Sequence, residues 1–119
     1  MISDEKFPYR EHILKSADFS KAYKEGASAR SGAFVMHRRP NGLRHTRLGL
    51  SVGARKVKLA VRRNRIKRVL REAYRKNRPC LKKGLDIVVS VRRDPGKSIS
   101  YKDTDTAFLK MARELEISA

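Results

Sequence analysis

Acidic side chains are scarce in this sequence, and this scarcity indicates which kinds of molecule the protein binds. Asp and Glu number 12 against 30 Lys and Arg, which gives the 119 residues a formal net charge of +18 at pH 7. So large an imbalance attracts polyanions and makes their binding strongly dependent on salt. The polyanions to consider are nucleic acid and an anionic membrane surface.

Long apolar runs and cysteines are also lacking. No run of 18 apolar residues occurs, so no transmembrane helix is predicted, and the start of the chain does not resemble a secretory signal. One cysteine, Cys80, allows no internal disulfide, so we expect a buried or half-buried thiol in a reducing, cytoplasmic compartment. With 39% hydrophobic residues, the chain should fold as a single polyanion-binding domain over 1–119, with a flexible N-terminal segment over 1–13.

Catalytic constellations are missing as well. The three histidines stand in no metal-ligand spacing, and neither a glycine-rich phosphate loop nor a Ser/His/Asp arrangement occurs. Four carboxylates in and beside the last strand and helix show no sign of convergence on a two-metal site: Asp86, Asp94, Asp103 and Asp105. The sequence therefore predicts a binding protein with no catalytic residue, metal ligand or cofactor of its own.

Hydrophobic periodicity predicts an α+β protein with the element order α-β-β-β-α-β-α. The first helix occupies 16–25, with Ser16 as its N-cap and Gly26 as its stop. Alternating segments at 32–39, 46–54 and 85–93 predict strands, and "ASARS" at 27–31 predicts a weaker one. A cationic helix ends before Pro79, and an amphipathic helix lies within 100–117. Helices packed on one sheet form a two-layer sandwich.

Side-chain alternation divides the predicted sheet into two faces. The apolar face is the predicted core and carries Phe34, Met36, Leu48, Leu50, Val52, Leu85, Ile87, Val89 and Val91. The opposite face carries Val35, His37, Arg39, Arg47, Gly49, Ser51, Val88, Ser90 and Arg92. Gly49, Ser51 and Ser90 are small enough for a ligand backbone to approach closely, so this face is either a solvated surface or the floor of a groove.

The cationic helix, "AVRRNRIKRVLREAYRKN" at 60–77, holds eight cations and one acid. Its apolar stripe is predicted to dock on the protein and consists of Leu59, Ile66, Val69, Leu70, Ala73 and Tyr74. Arg62 and Arg63 project from the first turn toward the polar sheet face, and Glu72 is expected to pair with Arg68 or Lys76. Because the apolar side is used for docking, the exposed cations favour a phosphate backbone over a membrane.

DNA and RNA are harder to tell apart, because zinc-finger, helix-turn-helix and bZIP patterns are absent and so is the aromatic signature of the common RNA-binding sheet domain. Rings beside basic groups, at Phe19, Tyr23 and His37, suit stacking on unpaired bases. The i,i+4 spacing of Phe19 and Tyr23 is more often that of core residues, so both roles remain open for this pair.

The stretch "RNRIKR" at 63–68, opening a cationic helix after "LGLSVG", resembles the signature of the protein component of bacterial ribonuclease P. "DFSKAYKEG", "FVMH" and "LDIVVSVRR" resemble the first helix, second strand and last strand of that family, so the resemblance covers about residues 14–93. It implies a mixed four-stranded sheet of the ribosomal-protein-like fold, with a left-handed crossover around the cationic helix.

The resemblance also implies two RNA-binding surfaces. The catalytic RNA subunit would contact Arg63, Asn64, Arg65, Lys67, Arg68, Arg71 and Arg75. A cleft for the single-stranded 5′ leader of precursor tRNA would be lined by Phe19, Tyr23, Val35, His37, Ser51, Arg55, Lys56, Arg62 and Arg92. His37 stands where some members carry Tyr, and Lys58 and Leu59 replace the Gly and Asn that many members have before the helix.

In such an enzyme the RNA subunit holds the catalytic Mg²⁺ ions and hydrolyses the phosphodiester bond, while the protein binds the leader and neutralises charge. The resemblance thus implies a subunit of a ribonucleoprotein endoribonuclease of tRNA processing, inactive alone, with RNA partners and without a membrane or an obligate protein partner. The alternative is a general RNA-binding or ribosomal protein with the same sandwich, whose basic helix only neutralises RNA charge.

Overall fold

Three α-helices and one four-stranded sheet make up the computed structural model, which describes residues 12–13, 16–96 and 99–117. The elements follow in the order α1 (Ser16–Glu25), β1 (Ala27–Ser31), β2 (Phe34–Pro40), β3 (Arg47–Ser51), α2 (Ala60–Asn77), β4 (Leu85–Val91) and α3 (Tyr101–Glu114). A short 3₁₀ helix, Arg78–Cys80, follows α2. This confirms the predicted α+β class and element order, including the weaker strand at 27–31.

The sheet is mixed, with the strand order β1-β2-β4-β3. The β1/β2 and β2/β4 pairs are antiparallel, whereas β3 and β4 are parallel and joined through the crossover that contains α2. The register defines three cross-strand rows on the polar face: Arg39–Asp86–Arg47, His37–Val88–Gly49 and Val35–Ser90–Ser51. We call these the charged row, the covered row and the open row.

The main core lies between the apolar face of the sheet and the helices α2 and α3. Every residue predicted for this face belongs to it, with Leu50 as a partly buried member. Tyr74, Phe108 and Met111 are among the large helical side chains that are fully buried there. The amphipathic character predicted for the last helix is likewise confirmed, because Phe108, Met111, Ala112 and Leu115 are buried and Ala107 packs against the same core.

Two side-chain predictions near the ends of α2 are wrong. Leu59 was assigned to the docking stripe but is 63% exposed, because it is the extended N-cap residue and Val57 is the buried anchor instead. Cys80 is exposed rather than buried or half-buried. It lies in the 3₁₀ helix after α2, and the neighbouring Leu81 takes the buried position.

Helix α1 packs on the polar face and forms a second, smaller core there. Ile13, Ala22 and Val88 are buried together, with the Phe19 ring packed against them. A Cβ added to Gly49 would lie 2.8 Å from two carbon atoms of the Phe19 ring. The predicted role of Gly49 in admitting a ligand backbone is therefore wrong, because its missing side chain makes room for Phe19.

The chain before α1 runs along β3, at the edge of the sheet. His12 bridges to Leu48 in parallel, and the Ile13 N–H donates to the Leu48 carbonyl oxygen at 2.9 Å. Of the segment that was predicted to be flexible, residues 1–11 lie outside the described residues. Backbone pairing at residues 12 and 13 covers part of an edge strand that would otherwise expose unpaired polar groups.

A buried carboxylate, Asp86 on β4, organises the charged row. Its side chain is fully buried and accepts two hydrogen bonds from Arg47, Nε to Oδ1 at 2.8 Å and Nη2 to Oδ2 at 2.7 Å. Asn41 Nδ2 donates to Oδ1 at 2.9 Å, and Arg39 Nη1 lies 3.9 Å from Oδ2. The hydrogen bond with Asp86 is the main cause that raises the pKa of Arg47 above its ordinary value.

The two arginines of the charged row also bind the two ends of α1. Arg47 Nη1 lies 3.5 Å from Asp18 in the first turn of α1, and Arg39 Nε lies 3.4 Å from Glu25 in its last turn. Since both arginines meet Asp86, one buried carboxylate connects β2, β3 and β4 with both ends of the helix.

Replacing Asp86 with Ala should lower the free energy of unfolding by about 3–5 kcal/mol, measured by urea denaturation. The loss arises because Arg47 and Asn41 would stay largely desolvated without their acceptor. Glu72→Ala is the matched control, since it breaks a more exposed Arg–carboxylate pair and should cost at most about 1 kcal/mol. Equal losses in the two variants would contradict the central role of Asp86.

Candidate nucleic-acid interface

The exposed side of α2 carries cations that the protein itself does not neutralise. Asn64, Arg65, Arg68 and Arg71 are exposed on this side. Arg65 donates to the Ile99 carbonyl oxygen at 3.0 Å, whereas Arg68 and Arg71 form no ion pair with any residue in the described part of the chain. The helical spacing of about 100° per residue predicted the outward side correctly for Asn64, Arg68 and Arg71. It was wrong for Arg75, which is half-buried and paired with Glu72. We call Arg65, Arg68 and Arg71 the cationic ladder.

Towards its C-terminus α2 pairs some of its charge internally. Arg75 forms a two-bond fork with Glu72, Nε to Oε1 at 3.0 Å and Nη2 to Oε2 at 2.7 Å. This fork is the main cause that lowers the pKa of Glu72 below its ordinary value. The predicted partners of Glu72, Arg68 and Lys76, are wrong: Arg75 at i+3 presents the better geometry, and the Lys76 ammonium lies over the Tyr101 ring, 5.0 Å from its centroid.

The first turn of α2 uses its arginines to hold neighbouring loops. Arg63 Nη1 donates to the carbonyl oxygens of Val57 at 2.8 Å and Lys58 at 3.0 Å. Arg62 forms an ion pair with Asp94, in the loop after β4. Both side chains are half-buried, so part of the predicted RNA-binding motif also fixes the loop between β3 and α2.

That loop presents two further cations beside the start of α2. The N–H groups of Lys56 and Val57 donate to the Gly53 carbonyl oxygen at 3.1 and 3.0 Å, which closes a turn. Val57 anchors the turn in the main core, while Arg55 and Lys56 are exposed. Two positions predicted to contact the leader are therefore free to meet phosphate.

On the polar sheet face, α1 covers one row and leaves the next row open. In the covered row Val88 is fully buried, whereas all three members of the open row, Val35, Ser90 and Ser51, are only half-buried. The two serines of this row are short, so a ligand backbone could approach the sheet closely there. The open row is therefore the accessible part of the polar face, and the leader cleft stays a prediction for it.

Two rings stand beside the open row. Tyr23 on α1 is 40% exposed and meets His37 on β2 edge to face, with ring centroids 5.0 Å apart and an interplanar angle of 84°. Burial lowers the pKa of His37 below its ordinary value, so its ring is neutral at pH 7. His37 Nδ1 is buried and has no hydrogen-bond partner among the described residues. The pair therefore offers aromatic surface rather than charge.

Phe19 and Tyr23 lie one helical turn apart, but one ring is packed in the protein and the other is exposed. Phe19 is packed over Gly49 and against the second core, whereas Tyr23 keeps a large exposed area. Of the positions predicted to bind the leader, the structure brings Tyr23, Val35, His37 and Ser51 together and places Phe19 beneath them. Arg92 is exposed just beyond the end of β4, where its N–H donates to the Ala33 carbonyl oxygen at 2.8 Å.

Sequence reasoning missed two parts of this site. Ser90 was predicted for the floor of a possible groove but was left out of the leader-binding residues, although it lies between Val35 and Ser51 in the open row. Asp86 was treated only as a possible nuclease carboxylate. Its position directly after Leu85, inside an apolar strand, was the available signal that this acid is buried and paired.

The described ranges contain neither a cluster of metal-ligand side chains nor a membrane-spanning helix. Within them, no group of three or more His, Cys, Asp or Glu side chains could hold a metal ion. Nor does any helix over these residues combine the length and apolar character needed to cross a membrane.

Comparison of the chain with known proteins identifies its family. The family model for ribonuclease P matches residues 7–116. The ribonuclease P protein component of Thermotoga maritima is 44% identical over 112 residues, which are 94% of this chain and 95% of that protein. The Staphylococcus aureus RNase P protein shares the fold with a TM-score of 0.80 and 30% identity, over 92% of this chain and 98% of that one.

A second S. aureus structure also matches this chain. It is that of an RNase P protein mutant with defective mRNA degradation activity, and it matches with a TM-score of 0.80 and 29% identity, over 91% of this chain and 90% of that one. The sequence match and the structural match each cover nearly the whole chain, and both point to ribonuclease P proteins. The chain belongs to the ribonuclease P protein family.

Proposed function

We propose that this protein binds the catalytic RNA subunit of ribonuclease P through α2 and the 5′ leader of precursor tRNA along the open row. By holding both, it promotes endonucleolytic removal of the leader, which produces the mature 5′ end of tRNA. The observation that carries the proposal is the partial cover of the polar sheet face: α1 closes one row and leaves a shallow, half-buried row beside exposed cations.

The cationic ladder supports binding to the RNA subunit. Arg68 and Arg71 point away from the core, and between Glu25 and Glu72 the chain contains no acid to neutralise them. Arginine forks match phosphate oxygens, and each phosphate neutralised releases counterions from the RNA. A folded RNA offers a rigid array of phosphates to such a helix, so the like-charge repulsion along α2 is relieved on binding.

The open row supports binding to a single strand. Its floor is formed by Val35, Ser51 and Ser90, small enough for a sugar–phosphate backbone to lie close to the sheet. Tyr23 and the neutral ring of His37 supply aromatic surface, on which unpaired bases stack with little dependence on sequence. A duplex keeps its base faces stacked inside, so a single-stranded leader fits this surface better than the body of tRNA does.

The chemical step is assigned to the RNA subunit, together with the Mg²⁺ ions that we expect it to hold. The protein contributes charge neutralisation and positions the leader, which raises the effective concentration of substrate at the RNA. These roles suit a cytoplasmic ribonucleoprotein whose partners are RNA, with no obligate protein partner and no membrane.

Reconstitution tests the function directly. Precursor tRNA is incubated at low Mg²⁺ with the catalytic RNA alone, with the protein alone and with both, and 5′ cleavage is measured. We expect efficient leader removal only when both are present, because the protein supplies the phosphate contacts that Mg²⁺ otherwise provides. Binding without stimulated cleavage would favour the alternative, a general RNA-binding or ribosomal protein.

The incubation with protein alone tests whether the protein itself cleaves precursor tRNA. Since mRNA degradation activity is described for the S. aureus protein, the preparation is treated with nuclease and repurified before use. Specific 5′ processing of precursor tRNA that survives this treatment would contradict the assignment of the chemical step to the RNA.

Replacing Tyr23 with Ala should weaken binding of precursor tRNA to the reconstituted complex by about 1–3 kcal/mol, the typical contribution of one stacked base. Binding of mature tRNA should not change, because mature tRNA has no leader to place on the open row. Tyr23→Phe is the control, since it keeps the ring and should keep most of the affinity. Equal weakening for both tRNAs would contradict stacking of the leader on Tyr23.

Phe19→Ala is expected to behave differently, because this ring is packed against the second core. It should lower the free energy of unfolding by up to about 3–5 kcal/mol, together with some loss of leader affinity. Measuring the melting temperature of each variant separates the two effects.

A further inference from the structure

Three consecutive apolar residues are exposed where α2 begins. Leu59 is 63% exposed, Val61 is 77% exposed, and Ala60 between them is exposed as well. Single apolar side chains on a surface are ordinary, but a run of three is unfavourable in water unless a partner covers it. We call Leu59, Ala60 and Val61 the apolar step.

The apolar step has no evident role in holding the protein together. Leu59 is the N-cap of α2, yet its side chain makes no capping hydrogen bond, and leucine is among the poor residues for this position. Val61 is β-branched, which slightly disfavours the helix. The anchor at this end of α2 is Val57, which is fully buried. Packing and capping therefore leave the two larger side chains of the step unexplained.

The position of the apolar step identifies its partner. Val61 lies at i relative to Asn64 at i+3, Arg65 at i+4 and Arg68 at i+7, so it continues the exposed arc that contains the cationic ladder. Lys58 precedes the step, and the first turn of α2 contains no acid. A molecule that lies along the ladder must cover Val61, and the surrounding charge requires that molecule to be polyanionic.

We propose that the apolar step packs against the ribose or base face of a nucleoside in the catalytic RNA subunit, next to the phosphates bound by the ladder. This deepens the RNA binding proposed for α2 and rests on it. Nucleosides in loops and bulges are unstacked and present apolar ring faces that aliphatic side chains can cover. A membrane suits the step less well, because α2 uses the rest of its apolar side for the core.

The test uses a double variant that should not unfold the protein. Leu59→Ser supplies a good N-cap, and Val61→Ala raises helix propensity, so the melting temperature should not fall. Leu43→Ser is the matched control, since Leu43 is also an exposed leucine, 42% exposed, but lies in the loop between β2 and β3. Affinity for the catalytic RNA alone, without tRNA, is measured at several salt concentrations.

Apolar and ionic contacts respond differently to salt. The double variant should bind the catalytic RNA about tenfold more weakly at every salt concentration, because burying a Val or Leu side chain is worth about one decade of affinity. For this variant, a plot of log Kd against the logarithm of the salt concentration should have the same slope as for the wild type. Arg68→Ala should instead lower that slope by about one, since it removes a phosphate contact. Leu43→Ser should leave affinity and slope unchanged.

Each remaining outcome overturns a stated part of this assignment. If wild-type protein does not bind the catalytic RNA, the proposed function fails. If wild type and Arg68→Ala behave as expected but the double variant binds like wild type, only the apolar contact fails. Binding to phosphatidylglycerol vesicles that the double variant loses would assign the step to a membrane. Self-association in sedimentation velocity that the double variant loses would assign it to a second copy of the chain.

Discussion

The interaction on which the rest of the site depends is the fork between Arg47 and the buried carboxylate of Asp86. A carboxylate without access to water is costly unless its oxygens are fully paired, and here Arg47 and Asn41 satisfy them at 2.7–2.9 Å. The same Arg47 reaches Asp18, and Arg39 joins Asp86 to Glu25. The position of α1 on the sheet is therefore set by charge at its two ends and by Phe19 over Gly49 between them.

Placing α1 in this way decides which part of the polar face remains available. The helix buries Val88 and covers its row, while the row with Ser90 stays half-buried. A helix displaced by one row, about 7 Å along the strands, would close the cleft or expose the second core. The ion pairs of the charged row and the accessibility of the open row are thus parts of one arrangement.

The large cationic excess is divided between structure and recognition. Arg47, Arg62, Arg63 and Arg75 each bind a carboxylate or a carbonyl oxygen of the protein. Arg68 and Arg71, together with Arg55 and Lys56 before the helix, are exposed instead. Screening by salt acts chiefly on this exposed set, so RNA binding should depend on ionic strength far more than folding does.

Much of the fold could be predicted from the sequence, because period-2 and period-3.6 patterns mark the elements and one face of β2, β3 and β4 is apolar. The exposed arc of α2 was predicted for the same reason. Contacts between distant segments could not be read from periodicity. Gly49 looked like room for a ligand until Phe19 was placed over it, and Asp86 looked unpaired until Arg47 was brought beside it. Leu59 followed the apolar period of α2 but lies at its N-cap, where the helical spacing no longer applies.

The central claim is that the open row, with the Tyr23 and His37 rings beside it, receives the leader. It is tested most directly by placing photoreactive 4-thiouridine at successive leader positions of precursor tRNA, crosslinking within the reconstituted complex and identifying the modified peptides. We predict adducts on the segments that contain Tyr23, Val35 and Ser51. Excess mature tRNA, which has no leader, should not move the adducts to other segments. Adducts confined to α3 or to the 41–45 loop would contradict the claim.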